Sequence, residues 1–277
     1  EQAATWLLGG LLLAIKEGWW LARLPFGGAL FGWLDGGWQG MDIQWADPKS
    51  TLTKWKTPLF EDEKIVELPV DHRTVTRRYT QKSIDFIKAN KDKPFFVYLP
   101  HSMPHIPLYV PDEVRDPDPK NADINTIEHI DAEVGRLLKT LDELKLVDNS
   151  YVIYSTDIGP WLPFRPHGGS AGPLRDGKGT TFEGGQRVPY VMRGPGIPAG
   201  TVCGELTGTI DLLPTIAAIT GKPLPNDRKI DGMDVSGLWN GKKKKSPRKE
   251  FIHYTSRGDL EGPVSYTHLT LPTSDLV

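Results

Sequence analysis

The chain has 277 residues, 38% of them hydrophobic and 25% charged, and a formal net charge of -2. That is an ordinary globular composition, long enough for one large domain or two smaller ones. So small a net charge excludes nucleic-acid binding or substrate steering by bulk charge, and any anion site must come from a local cluster of cations and amides.

In chain order, residues 1–40 are rich in Gly and Trp without helical or strand periodicity. The apolar run Trp6–Ile15 is too short to span a membrane and lacks the basic start of a signal peptide. This stretch stays unassigned, as a disordered end or an artefact, and residues 41–255 carry the domain. Pro48–Pro69 reads as an irregular, charged surface connection. Thr74–Asn90 is the first helix, with Val75, Tyr79, Ile84, Phe86 and Ile87 on its apolar side. Phe95–Leu99, short, apolar and aromatic between prolines, reads as a central strand. It delivers His101 and His105 at its end, the latter held between Pro104 and Pro107 on a stiff loop that excludes a helix.

Asn125–Leu146 is the strongest periodic segment, with Ile127, Ile130, Val134, Leu137, Leu138, Leu141 and Leu144 repeating at three and four. Asn125 and Glu128 resemble a capping box, and Asp148-Asn149 supplies the stop. The strand Tyr151–Tyr154 follows, so strand, crossover helix and strand predict a right-handed parallel βαβ unit. Asp157 stands where that strand runs out, the end at which open α/β sheets bind ligands. The loop to Arg187 is dense in glycine and carries Lys178, which suits an anion. Val188–Met192 is a further strand, Ile210–Ile219 a helix with Pro214 in its first turn and Gly221 as its stop, and Phe251–Thr255 a last strand. The single cysteine, Cys203, excludes an internal disulfide framework and a cysteine zinc cluster, and reads as a small buried side chain. Lys242–Lys245 reads as a solvated loop, and residues 256–277 as an unassigned tail.

His105, Asp157 and Lys178 all fall at loop ends and can meet at one mouth of the sheet. An imidazole, a carboxylate and an ammonium among flexible amides suit a hard metal ion with an oxyanion. Each residue also has a plainer reading: a surface or core histidine, an aspartate shaping a turn, a solvated loop lysine.

The wording and order of several segments carry more than spacing does. Lys93–Pro107 (KPFFVYLPHSMPHIP), Ser155–Pro160 (STDIGP), Gly168–Arg175 (GGSAGPLR) and Gly177–Gly185 (GKGTTFEGG) resemble the later half of the catalytic domain of a sulfatase of the arylsulfatase A type, over about Met41 to His253. The resemblance implies an alkaline-phosphatase-like α/β sandwich with a mostly parallel central sheet flanked by helices, incomplete here, and calcium-dependent hydrolysis of sulfate monoesters. It implies that His105 contacts the sulfate and protonates the leaving oxygen, that Lys178 binds the sulfate, that Asp157 ligates the calcium ion, and that His101 is a lesser substrate contact. A sulfated small molecule or glycan is the implied substrate, and a periplasmic, secreted or lysosomal location follows.

Two departures stand out. Ile158 occupies the position of the family's second calcium ligand, an asparagine, and has no donor oxygen. No C/S-x-P-x-R motif, the precursor of the family's formylglycine nucleophile, occurs in the sequence. The expectation is therefore a fragment of the catalytic domain without turnover of its own. A phosphatase or phosphodiesterase of the same superfamily, or an inactive oxyanion-binding pseudo-enzyme, are the alternatives.

Overall fold

The computed structural model describes residues 10–15, 57–254 and 260–264. These fall into two compact units, the first ending at Pro195 and the second beginning at Gly196.

The first unit is α/β. Strand β1 is Gly10–Ile15, inside the stretch left unassigned above. β2 (Leu59–Glu61) and β3 (Lys64–Glu67) form a hairpin in the segment expected to be irregular, and Asp62 takes the positive φ of 54° that its turn requires. Helix α1 (His72–Asn90) starts where the Asp71 carboxylate accepts the Arg73 N–H at 3.1 Å. Val75, Tyr79, Ile84 and Ile87 form its buried face. The buried hydroxyls of Thr80 and Ser83 are satisfied by donation to the carbonyls of Thr76 and Tyr79 one turn earlier.

β4 (Phe96–Pro100) buries Val97 and Leu99 against this helix, and α2 (Ala122–Glu143) contributes Leu137 and Leu141 to the same core. Each such aliphatic contributes about 1.5–3 kcal/mol on burial. α2 begins three residues before Asn125, so that residue does not cap it. Asn125 instead clasps the incoming loop, accepting from Asp116 N–H and donating to the Val114 carbonyl. The helix ends at Glu143, with Leu144 as its cap, ahead of the expected Asp148-Asn149 stop, and Lys145 turns the chain at a φ of 57°.

β5 (Ser150–Ser155) follows, then a four-residue helix, α3 (Glu183–Gln186), and β6 (Tyr190–Arg193). The sheet order is β4-β1-β5-β6, and every described pairing is antiparallel. The mostly parallel sheet expected above is thus not what these strands form. β4 and β5 do run in the same direction with α2 as their crossover, but β1 lies between them, antiparallel to both. Gly10 registers with Pro100 on one side and Ser155 on the other, so the carboxyl ends of β4 and β5 are level at the same sheet edge. At about 4.8 Å per strand spacing, the two ends stand roughly 10 Å apart, within reach of loop side chains.

In the second unit, α4 (Leu212–Thr220) has Pro214 in its first turn and Gly221 at a φ of 67° as its left-handed stop, both as expected. Buried Asp211 accepts from the Gly208 and Met233 N–H groups and from the Arg248 guanidinium, tying the helix start to residues far along the chain. α5 (Ser236–Trp239) and an antiparallel hairpin of β7 (Phe251–Tyr254) and β8 (Leu260–Val264) complete it. Cys203 is exposed, not buried: it follows Val202, itself 96% exposed, on irregular chain that packs no face. The lysines Lys242–Lys245 are exposed, as expected. Among the described residues no helix is long and apolar enough to cross a membrane.

Candidate active site

A cleft of about 520 Å³ opens at the level ends of β4 and β5. His101, His105, Asp157 and Lys178 all line it. The loop after β4 brings the histidines, the end of β5 brings Asp157, and the glycine loop brings Lys178.

That loop is woven back on itself. Gly159 N–H donates to the Gly185 carbonyl, Lys178 N–H to the Pro160 carbonyl, and Gly184 N–H to the Arg175 carbonyl, at 3.1, 2.8 and 2.8 Å. Backbone approaches so closely that a Cβ on Gly159 would lie 1.8 Å from the Gly184 oxygen. Gly159, Gly168, Gly177, Gly184 and Gly185 thus answer to close packing of chain against chain, while Gly172 and Gly179 stand in open space at positive φ.

Lys178 Nζ lies 3.3 Å from His105 Nε2. His105 Nδ1 is 2.6 Å from the Ile106 carbonyl oxygen. A carbonyl only accepts, so Nδ1 carries the proton and Nε2 offers its lone pair to the ammonium. Burial lowers the His105 pKa, opposed by that carbonyl, and the Lys178 charge lowers it further. Burial also lowers the Lys178 pKa, with Asp157 opposing it. Asp157 is pushed up by burial, against its backbone N–H bonds and the nearby cations. The three groups thus feel one another in a half-dry cleft where each is short of compensation, the arrangement that favours capture of a charged ligand.

His101 sits apart from this trio. It is 4% exposed, neither ring nitrogen has a hydrogen-bond partner among the described residues, and burial followed by His129 lowers its pKa to about 4. It is a neutral imidazole in the cleft wall.

A calcium ion takes six to eight oxygens. Among the described residues no group of three His, Cys, Asp or Glu side chains can hold a metal ion, and Ile158 beside Asp157 offers no side-chain oxygen. The described residues do not complete a calcium site. The nucleophile is likewise without its precursor motif.

Sequence reasoning missed Trp161, whose indole lies against both members of the pair. Its ring centroid is 4.5 Å from Lys178 Nζ and 5.9 Å from the His105 ring. A large aromatic side chain four residues after Asp157, at the start of the glycine loop, was the available signal. Asp123 in the first turn of α2 also lines the cleft, and nothing local in the sequence marks it.

Fold and cleft together define an α/β protein with a cleft lined by His105, Asp157 and Lys178 at the ends of two strands. A sulfatase family model matches residues 18–222, and the chain belongs to the sulfatase family, within the alkaline phosphatase superfamily. Human arylsulfatase A is 38% identical over 169 residues, which cover 61% of this chain and 33% of that protein. Human steryl-sulfatase is 32% identical over 202 residues, covering 71% of this chain and 35% of the relative. The solved structure of Ps i-CgsB in complex with k-i-k-neocarrahexaose superposes with a TM-score of 0.61 at 30% identity, covering 72% of this chain and 44% of that one. The chain spans about a third of the length of the two curated relatives named.

Proposed function

We propose that the cleft binds the sulfate group of a sulfate monoester, with Lys178 as its cation and His105 as the proton donor to the leaving oxygen. The observation that carries this is the ammonium–imidazole pair, 3.3 Å apart and partly buried beside Asp157. Desolvated charge-assisted bonds of this kind are about twice as strong as neutral ones. Family membership favours sulfate over phosphate as the anion. His101 is proposed as a lesser substrate contact in the cleft wall and Asp157 as one carboxylate toward calcium, a site that the other described residues do not complete. The glycan bound to Ps i-CgsB favours a sulfated glycan or a sulfated small molecule as the ligand.

With Nδ1–H fixed on the Ile106 carbonyl, His105 can donate from Nε2 only after gaining a proton there. An entering anion supplies the reason: it draws the ammonium away and stabilises the imidazolium. In hydrolysis a water oxygen would bond to sulfur as the ester S–O bond opens, releasing sulfate, while the Nε2 proton passes to the leaving oxygen. No C/S-x-P-x-R motif for a formylglycine nucleophile occurs in these 277 residues and Ile158 weakens the metal side, so the second reading is a chain that binds esters without turning them over.

Calorimetric titration with nitrophenyl sulfate tests this. Lys178→Ala is expected to bind about ten- to a hundredfold more weakly, the loss of one desolvated charge-assisted bond. Free His105 is neutral because its pKa is lowered, while the complex prefers it charged. Affinity is therefore highest at low pH and falls as pH rises through the pKa of the complex. Equal affinity of wild type and Lys178→Ala would sink the assignment of the anion site, and nitrophenol release above the Lys178→Ala background would refute the non-catalytic reading.

A further inference from the structure

Lysine is a poor positioning device on its own, because its flexible four-carbon stem has much rotamer entropy to lose before the charge is held in one place. A carboxylate can hold it, at the expense of neutralising the charge. Among the described residues Lys178 makes no ion pair, and Asp157 acts on it only through the field across the cleft.

What lies against the ammonium is the indole of Trp161, with Nζ 4.5 Å from the ring centroid. The same ring stands 5.9 Å from the His105 imidazole, tilted by 54°. Trp161 is itself well fixed. Its backbone N–H donates to the Gly168 carbonyl at 2.8 Å, its ring meets Phe164 at 4.7 Å, and it packs on the buried cluster of Ile106, Leu108 and Ala122. Lys178 hangs from the adjacent point, its N–H bonded to the Pro160 carbonyl at 2.8 Å. A Cβ on Gly168 would lie 2.1 Å from the Trp161 oxygen and one on Gly177 2.3 Å from the Pro160 oxygen, so both glycines are needed for this junction. Backbone and ring therefore converge on one lysine from neighbouring residues.

We infer that Trp161 is a positioning residue for the Lys178–His105 pair: its π face holds the ammonium beside Nε2 by a cation–π contact that leaves the charge unneutralised for an anionic ester. This rests on the sulfate-ester reading of the cleft. An indole serves where a carboxylate would not, because the ring attracts the cation and brings no formal negative charge to compete with the ligand.

The test uses Trp161→Phe, which keeps a π face, and Trp161→Leu, which keeps apolar bulk without one. Nitrophenyl sulfate affinity should stay within about threefold in the Phe variant and fall about tenfold in the Leu variant. Adding Lys178→Ala to Trp161→Leu should cost nothing beyond Lys178→Ala alone, since the ring acts through the lysine. In the same samples the Lys178 ε-methylene should show an upfield ring-current shift that persists with Phe and vanishes with Leu. Wild-type affinity and an unchanged Lys178 signal in Trp161→Leu would overturn the proposal. So would additive losses in the double variant, which would make Trp161 a direct ester contact. If the wild-type chain binds no ester, the sulfate-ester reading falls by itself, and the Lys178 signals alone then decide whether the ring holds the lysine.

Discussion

Gly159→Ala is expected to destabilise the first unit by roughly 3 kcal/mol and to disable ester binding with it. Its Cβ would lie 1.8 Å from the Gly184 oxygen and 2.8 Å from the Gly184 carbon. Both are backbone atoms, so no flexible side chain can give way. Overpacking of well-packed sites costs about 1–3 kcal/mol and occasionally more, and this contact lies at the severe end. The site suffers because the same weave holds Lys178: Gly159 N–H bonds the Gly185 carbonyl, and the next residue, Pro160, accepts the Lys178 N–H. Pushing the two chain segments apart moves the ammonium off His105. For a unit of this size each kcal/mol lowers the melting temperature by about 2–4 °C, so a fall of roughly 6–12 °C in calorimetry is the expected reading. Gly135→Ala is the control, because a Cβ at that helical position meets nothing within 4 Å. It should leave ester affinity alone and stabilise slightly, by about 0.5–1 kcal/mol. A Gly159→Ala chain with wild-type melting and affinity would show that the loop is not packed as described.

Acid should unfold the first unit largely through His101. The imidazole is buried, without a hydrogen-bond partner among the described residues, and its pKa is lowered from 6.5 to about 4, by burial first and by His129 second. The unfolded chain therefore binds a proton at a pH where the folded chain does not. Stability is untouched above about pH 6.5, falls as pH drops through the window between the two values, and has lost roughly 3 kcal/mol near pH 4. His101→Gln removes that titration, and its melting temperature should fall less steeply between pH 6.5 and 4. His72, His105 and His129 are also lowered by burial and carry the slope that remains. Parallel melting curves for wild type and His101→Gln across this range would contradict the account.

What the sequence made legible follows from what is local. α1, α2, β4 and β5 carry their period in the order of their own residues, and each was recognisable to within a few positions. The end of β4 and the end of β5 then place His105 and Asp157 on one edge, because a strand, a crossover helix and a strand must run the same way. Sheet pairing was not legible. β1 enters between the two strands from a Gly- and Trp-rich stretch without periodicity, and nothing in Gly10–Ile15 states an antiparallel partner. Asn125 misled because a cap and a loop clasp use the same amide. Cys203 misled because its small size says nothing of the exposed, irregular chain around it.

The site divides in the same way. Lys178 and Asp157 were marked by local setting, a cation in a glycine loop and a carboxylate at a strand end. Their convergence with His105 needed the resemblance between separated motifs as well. Trp161 depends on how the loop folds back, since its approach to Lys178 is set by bonds between Trp161 and Gly168 and between Lys178 and Pro160. Spacing does not encode those bonds.

The most direct test of the central claim is to locate a bound ester. A crystal structure of this chain soaked with nitrophenyl sulfate should show the sulfate group in the cleft at the ends of β4 and β5, within hydrogen-bonding distance of Lys178 Nζ and His105 Nε2. An ester bound elsewhere, or a cleft that excludes it at saturating concentration, would contradict the assignment.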